Sequence, residues 1–164
     1  MKKRTWFEKL TDKKGFPKIV ELDDKPARRW GGKTMVVPLP MDVYNLMSQV
    51  PAGMVTTFNG LRKALAKKYN NDIACPLTTG IFAWISAWAS IESPKNLAIG
   101  PIPYWRTLKS DYQLNENFPG GIEEQSEKLS SEGISVIHKG KKIESGSKRK
   151  PNLPFRKFSN FLIS

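Results

Sequence analysis

A thiolate nucleophile and an imidazole base or zinc ligand each have a single candidate in this 164-residue chain, Cys75 and His138. A thiol becomes a nucleophile when a neighbouring base or cation lowers its pKa. No histidine stands near Cys75 in sequence, and Cys75 immediately precedes a helix signal, so it reads as a buried thiol. One cysteine and one histidine cannot build a zinc cluster, so neither a metal nor a cofactor is expected. A lone cysteine also gives no disulfide framework and suits a reducing compartment. The other chemistry the chain offers is cationic. Lysine and arginine number 27 against 15 acidic residues, a net charge of +12, more than solubility requires. Such an excess points to a polyanionic partner.

The charge is unevenly placed. Residues 1–34 hold 11 Lys/Arg against 5 Asp/Glu, residues 139–164 hold 8 against 1, and residues 35–138 hold 8 against 9. The chain is therefore expected to divide into a basic N-terminal extension (1–34), a neutral domain (35–138) and a basic C-terminal tail (139–164). Neither terminal segment reads as a fold of its own. In the tail the cations interleave with Phe155, Phe158 and Phe161, and in the extension with Trp6 and Trp30. Cations neutralise phosphates while aromatic rings stack on bases, a pairing suited to nucleic acid. The candidate nucleic-acid-binding residues are Lys2, Lys3, Arg4, Lys13, Lys14, Arg28, Arg29 and Lys33 in the first segment. Arg62, Lys63 and Lys67 follow in the domain, then Lys141, Lys142, Lys148, Arg149, Lys150, Arg156 and Lys157 in the tail.

These residues need elements to position them. Thr34–Val37 is β-rich and ends at Pro38. Met41 to Val50 carries Val43, Met47 and Val50 at helical spacing. Thr57 can cap a helix over 58–68, whose other side shows Arg62, Lys63, Lys67 and Lys68. Pro76 suits the first turn of a helix reaching about Ala89. In that helix Ile81, Trp84, Ile85 and Trp88 form a stripe expected to be core, and no Lys or Arg lies between Cys75 and Glu92. Ile102–Leu108 and Gln113–Leu114 flank a polar turn expected to be a hairpin or wing. A polar helix to about Ser131 and a strand over Ile134–Ile137 complete the domain. Short helices followed by a hairpin predict an α+β winged helix-turn-helix. The longest apolar stretch, Gly80 to Ile91, is too short to span a bilayer, and no apolar segment follows the basic N-terminus. A cytoplasmic protein with no membrane partner is expected.

Three segments in register resemble the C-terminal domain of the O6-alkylguanine-DNA alkyltransferase family. Val50-Pro51-Ala52-Gly53-Met54-Val55-Thr56-Thr57-Phe58 resembles its VPxGxVxTY entry to the helix-turn-helix. Ile102-Pro103-Tyr104-Trp105-Arg106 resembles its active-site PCHR, and Leu129-Ser130-Ser131-Glu132-Gly133 its closing LxxEG. The resemblance covers about residues 40–137 and implies an alkyltransferase-like winged-helix domain between basic extensions. It also implies lost chemistry, since Tyr104 stands at the nucleophilic cysteine and Trp105 at the activating histidine. A phenol beside an indole that cannot accept a proton is no such nucleophile. Glu132 matches the family's glutamate without the histidine it would orient. The arginine that enters the duplex becomes Leu77, and the tyrosine that rotates the phosphate becomes Phe58. Phe58, Leu77, Tyr104, Trp105, Arg106 and Glu132 then mark a vestigial active-site pocket, and the chain is not expected to be an enzyme.

Two functions are expected, in order. The first is a non-catalytic protein docked through its basic tails on structured RNA, ribosome-associated or ribosomal, with ribosomal proteins as further partners. The second is an alkyltransferase-like DNA-binding protein that senses O6-alkylguanine in duplex DNA for repair.

Overall fold

The computed structural model describes residues 2–92, 100–139 and 142–145. Three central helices, α3 (Pro40–Ser48), α4 (Phe58–Lys68) and α5 (Pro76–Glu92), are those the sequence predicts. Pro40 begins α3 at a first-turn position, and the Thr57 side chain caps α4 by accepting from the Gly60 amide at 3.1 Å. Val43, Met47, Leu61, Leu65, Ala83 and Phe118 meet in one core. The buried Asp42 of α3 accepts hydrogen bonds from Lys68 and from the Tyr69 hydroxyl, which pins α3 to the end of α4.

The expected core stripe of α5 is only partly core. Ile85 is buried, yet Ile81 is 40% and Trp84 37% exposed, and Trp88 is half-buried. Phe82, Ala83, Ser86, Ala87 and Ala89 are buried instead. The helix is apolar or small nearly all round, so periodicity cannot choose its inner face. The side rich in alanine and serine turns inward, where short side chains let α3 approach.

The outer side of α5 is partly covered by α1 (Trp6–Leu10). Trp6 packs edge-on against Trp84 at 4.7 Å between ring centroids and stacks on Trp88 at 6.0 Å. Leu10 is fully buried, and the Phe7 amide donates to Glu92. The expectation that residues 1–34 lack a fold of their own therefore differs from the structure. Thr5 and Glu8 form a reciprocal capping box that starts α1. Strand β1 (Lys18–Glu21) and helix α2 (Asp24–Trp30) follow. β1 pairs antiparallel with β2 (Thr34–Val37), and β2 pairs parallel with β4 (Ile73–Ala74). Counting lysines in this segment hides the few apolar residues, Trp6, Leu10 and Phe16, that fasten it.

A second pairing joins the helix-turn-helix to the carboxyl half. β3 (Thr56–Thr57) runs parallel to β5 (Thr107–Leu108), which follows a 3₁₀ turn at Tyr104–Arg106. Where a hairpin or wing is expected, residues 109–113 close as a tight turn, with the Lys109 amide on the Gln113 carbonyl at 2.9 Å and only a single bridge residue at Gln113. The hairpin forms later, where β6 (Val136–Lys139) pairs antiparallel with β7 (Lys142–Ser145), crossing the expected start of the tail at residue 139. Between them α6 (Gly121–Ser131) ends on Gly133 at φ +81°, a left-handed residue that suits glycine. The whole is a small α+β winged-helix fold.

Candidate nucleic-acid interface and vestigial pocket

Tyr104 fills its own site. It is 3% exposed, its hydroxyl donates to Glu124 at 3.2 Å, and its ring meets Trp105 and Phe118 edge-on. Burial first, then the Glu124 carboxylate, pushes its pKa up to about 12. At neutral pH it is a neutral, hydrogen-bonded phenol and no nucleophile.

Glu132 is held by two residues of the 3₁₀ turn. The Arg106 guanidinium grips it at distances of 2.6 to 3.1 Å, while the Trp105 indole donates to the same carboxylate at 3.1 Å. Arg106 also donates to the Val50 carbonyl at 2.6 Å, so one guanidinium ties the Val50–Gly53 entry to the Glu132–Gly133 turn. Burial alone would raise the Glu132 pKa, but hydrogen bonds from Arg106 and Trp105, with the arginine's charge, hold it below the ordinary carboxylate value. The three resemblance segments thus meet in space around an ion pair with both side chains 14% exposed.

Sequence reasoning missed the α6 residues that complete this region. The buried Gln125 donates to the Trp105 and Thr107 carbonyls and accepts from the Asn115 amide at 2.7 Å. Lys128 lies 4.4 Å over the Trp105 ring, a cation on an aromatic face. Glu124, Gln125 and Lys128 share helical spacing, but nothing local shows what that side faces. A cavity of about 480 Å³ opens beside Tyr104, Trp105 and Lys128, floored by Ile102 and Pro103.

The exposed side of α5 is apolar. Leu77, on the first turn of α5, is 71% exposed and stands with Ile81 and Trp84 on the helix exterior. Phe58 begins α4 near Gly80, whose added Cβ would meet the Phe58 ring at 4.0 Å. Cys75 is buried and free of disulfides, as its sequence context suggests.

The predicted cations fall into separate groups. Lys2, Lys3, Arg4 and Lys13 line an open cleft of about 500 Å³ with Glu8 and Asp12, and Lys14 is exposed beside it. Arg4 is bound to Asp12 at 2.9 Å, so its charge is partly spent. Arg28, Arg29 and Lys33 are exposed at the end of α2, and Lys63 and Lys67 on α4. Arg62 is half-buried, donating to the Ala74 carbonyl and to Asn59. Lys142 sits on β7, while Lys141, Lys148, Arg149, Lys150, Arg156 and Lys157 lie outside the described residues.

Asp72, which sequence reasoning passed over, joins the α2 and α4 groups. Its Oδ2 accepts the Lys33 and Thr34 amides at 2.8 and 3.0 Å. It also lines a shallow cavity of about 240 Å³ with Arg62 and Lys63. Those amides, that of Thr34 first, hold its pKa below the usual value. Its charge is answered by backbone donors, and it takes no side-chain cation into an ion pair. Among the described residues, Lys25, Arg28, Arg29, Lys33, Lys63 and Lys67 take part in no ion pair.

No protein-family model matches the sequence, and no curated protein does. A solved structure, S. pombe Atl1 in complex with damaged DNA containing O6-carboxymethylguanine, is similar to this chain at a TM-score of 0.44 and 15% identity. The similarity covers 65% of this chain and 87% of that one.

Proposed function

We propose that this chain is a non-catalytic nucleic-acid-binding protein whose principal binding surface is the cationic one shared by α2 and α4. The observation that carries this reading is that six exposed cations on and beside α2 and α4, Lys25, Arg28, Arg29, Lys33, Lys63 and Lys67, take part in no ion pair among the described residues. Paired surface cations give up much of their attraction, whereas unpaired ones release counterions when they meet phosphates. The absence of alkyl transfer follows from Tyr104, whose hydroxyl is buried and hydrogen-bonded beside an indole that cannot take its proton.

The reading of a protein held on structured RNA by two tails loses one of its supports. The N-terminal segment is part of the folded domain, and residues 146–164 lie outside the described residues. The duplex-DNA reading keeps one specific support. Leu77 projects from the first turn of α5, where the resemblance places a side chain that enters the duplex, and leucine can wedge between bases.

The test is fluorescence anisotropy with labelled RNA, plain duplex DNA and O6-methylguanine duplex across a salt series. Replacing Arg28, Arg29, Lys63 and Lys67 by serine should weaken binding to all polynucleotides and flatten the salt dependence. Each phosphate that is no longer neutralised should lower the slope of log K against log salt by about 0.7 to 0.9. Unchanged affinity and slope would refute the assignment. Selective binding of the O6-methylguanine duplex, abolished by Leu77→Ala, would establish the duplex reading.

A further inference from the structure

Trp30 belongs to neither hydrophobic core cluster. It ends α2, a helix with no buried residue, and is 36% exposed. Gly31 caps the helix at φ +78°, and its amide and that of Gly32 both return to the Ala27 carbonyl. A Cβ added at Gly31 would meet no atom of a more distant residue within 4 Å, so the backbone that follows Trp30 faces open space. Close to it in sequence are Arg28 and Arg29, on other sides of the same last turn, and Lys33 just beyond it; all three are exposed and none takes part in an ion pair among the described residues. An aromatic face with unpaired cations on one short stretch is the arrangement that holds an unpaired strand: rings stack on bases, cations follow the backbone.

The helix that would read a duplex offers the reverse. The outer residues of α5, Leu77, Ile81 and Trp84, bring no cation, whereas groove readers carry donors aimed at base edges and phosphates. Duplex bases are stacked on one another and cannot stack on Trp30 without being unpaired.

Resting on the nucleic-acid reading above, we infer that the carboxyl end of α2 binds a single-stranded polynucleotide. A base stacks on Trp30, and Arg28, Arg29 and Lys33 hold the flanking phosphates. RNA and DNA strands share this chemistry, and parallel probes separate them.

The experiment uses the full chain with labelled oligo(rU), oligo(dT) and a blunt duplex, titrated by anisotropy at one low salt concentration. The wild type should bind the single strands more tightly than the duplex. Trp30→Ala should weaken single-strand binding roughly tenfold, leave duplex binding nearly unchanged and keep the salt slope. Trp30→Phe should retain much of the affinity. Thermal melts should stay close to the wild type, since α2 places no residue in the core clusters. Tighter binding of oligo(rU) than oligo(dT) would identify RNA as the strand, the reverse DNA, and equal binding a platform indifferent to the sugar. Trp30→Ala binding single strands as the wild type does, or losing duplex affinity equally, would overturn the inference while leaving the cationic surface intact. Failure of the wild type to bind any of the probes would overturn the broader reading as well.

Discussion

The buried phenol of Tyr104 and the ion pair behind it decide what the pocket can do. Introducing a thiol by Tyr104→Cys should restore no transfer of labelled methyl from O6-methylguanine DNA, because Trp105 is no base and Glu132 is engaged by Arg106. Detectable label on the protein would show the pocket to be competent. Glu132→Gln should cost about 2 to 3 kcal/mol at neutral pH, since Arg106 would remain half-enclosed without its counter-charge. The pH dependence has a definite sign. The folded Glu132 pKa lies below the usual 4.5, so the unfolded chain binds its proton first as pH falls. The carboxylate's contribution is full above that usual value and is lost as pH drops through the folded one. Urea melts at neutral pH and at about pH 3 should show a smaller acid-induced loss in Glu132→Gln than in the wild type. Equal losses would mean that Glu132 does not govern acid stability.

At the scale of elements, caps were the most legible feature and helix faces the least. Thr57 was readable as the cap of α4 because a threonine before Phe58 and Leu61 is a local signal. Thr57→Ala should lower stability by about 1 kcal/mol, measured by denaturant melts, and no change would remove the cap from the account. The inner face of α5 could not be read, since Ile81, Trp84 and Trp88 look as apolar as Phe82 and Ile85. Trp6 supplies part of the cover for that outer face, from a segment distant in sequence. Trp6→Ala should therefore destabilise by about 2 kcal/mol and raise binding of a hydrophobic dye as Trp84 is uncovered. A mutant with wild-type stability and no added dye binding would mean that α1 is only lightly attached.

For the whole molecule, the charge asymmetry and the fold are separate matters. The N-terminal segment brings a net charge of +6 but also Leu10 to the core and β1 to the sheet. Deleting residues 1–33 should thus lower the thermal midpoint markedly, by calorimetry, and not merely weaken binding. A truncated chain melting with the intact one would show the segment to be dispensable. The role of the cations is tested in the intact chain by side-chain replacement, which keeps α1 and β1 in place.

The sequence by itself determined α3, α4, α5 and α6, the Thr57 cap and the buried thiol. Each of these is local, set by spacing, capping or residue identity over a few positions. The three resemblance segments were readable too, but not that Arg106 would bind them into one cluster through Glu132 and Val50. Tertiary structure alone decided which side of α5 faces inward, that the basic N-terminus is folded, and that Asp72 both accepts the Lys33 amide and lines a cavity with Arg62 and Lys63. Those outcomes depend on interactions between residues tens of positions apart. Composition records that charge and apolar surface exist, but packing chooses which of it is left for a partner.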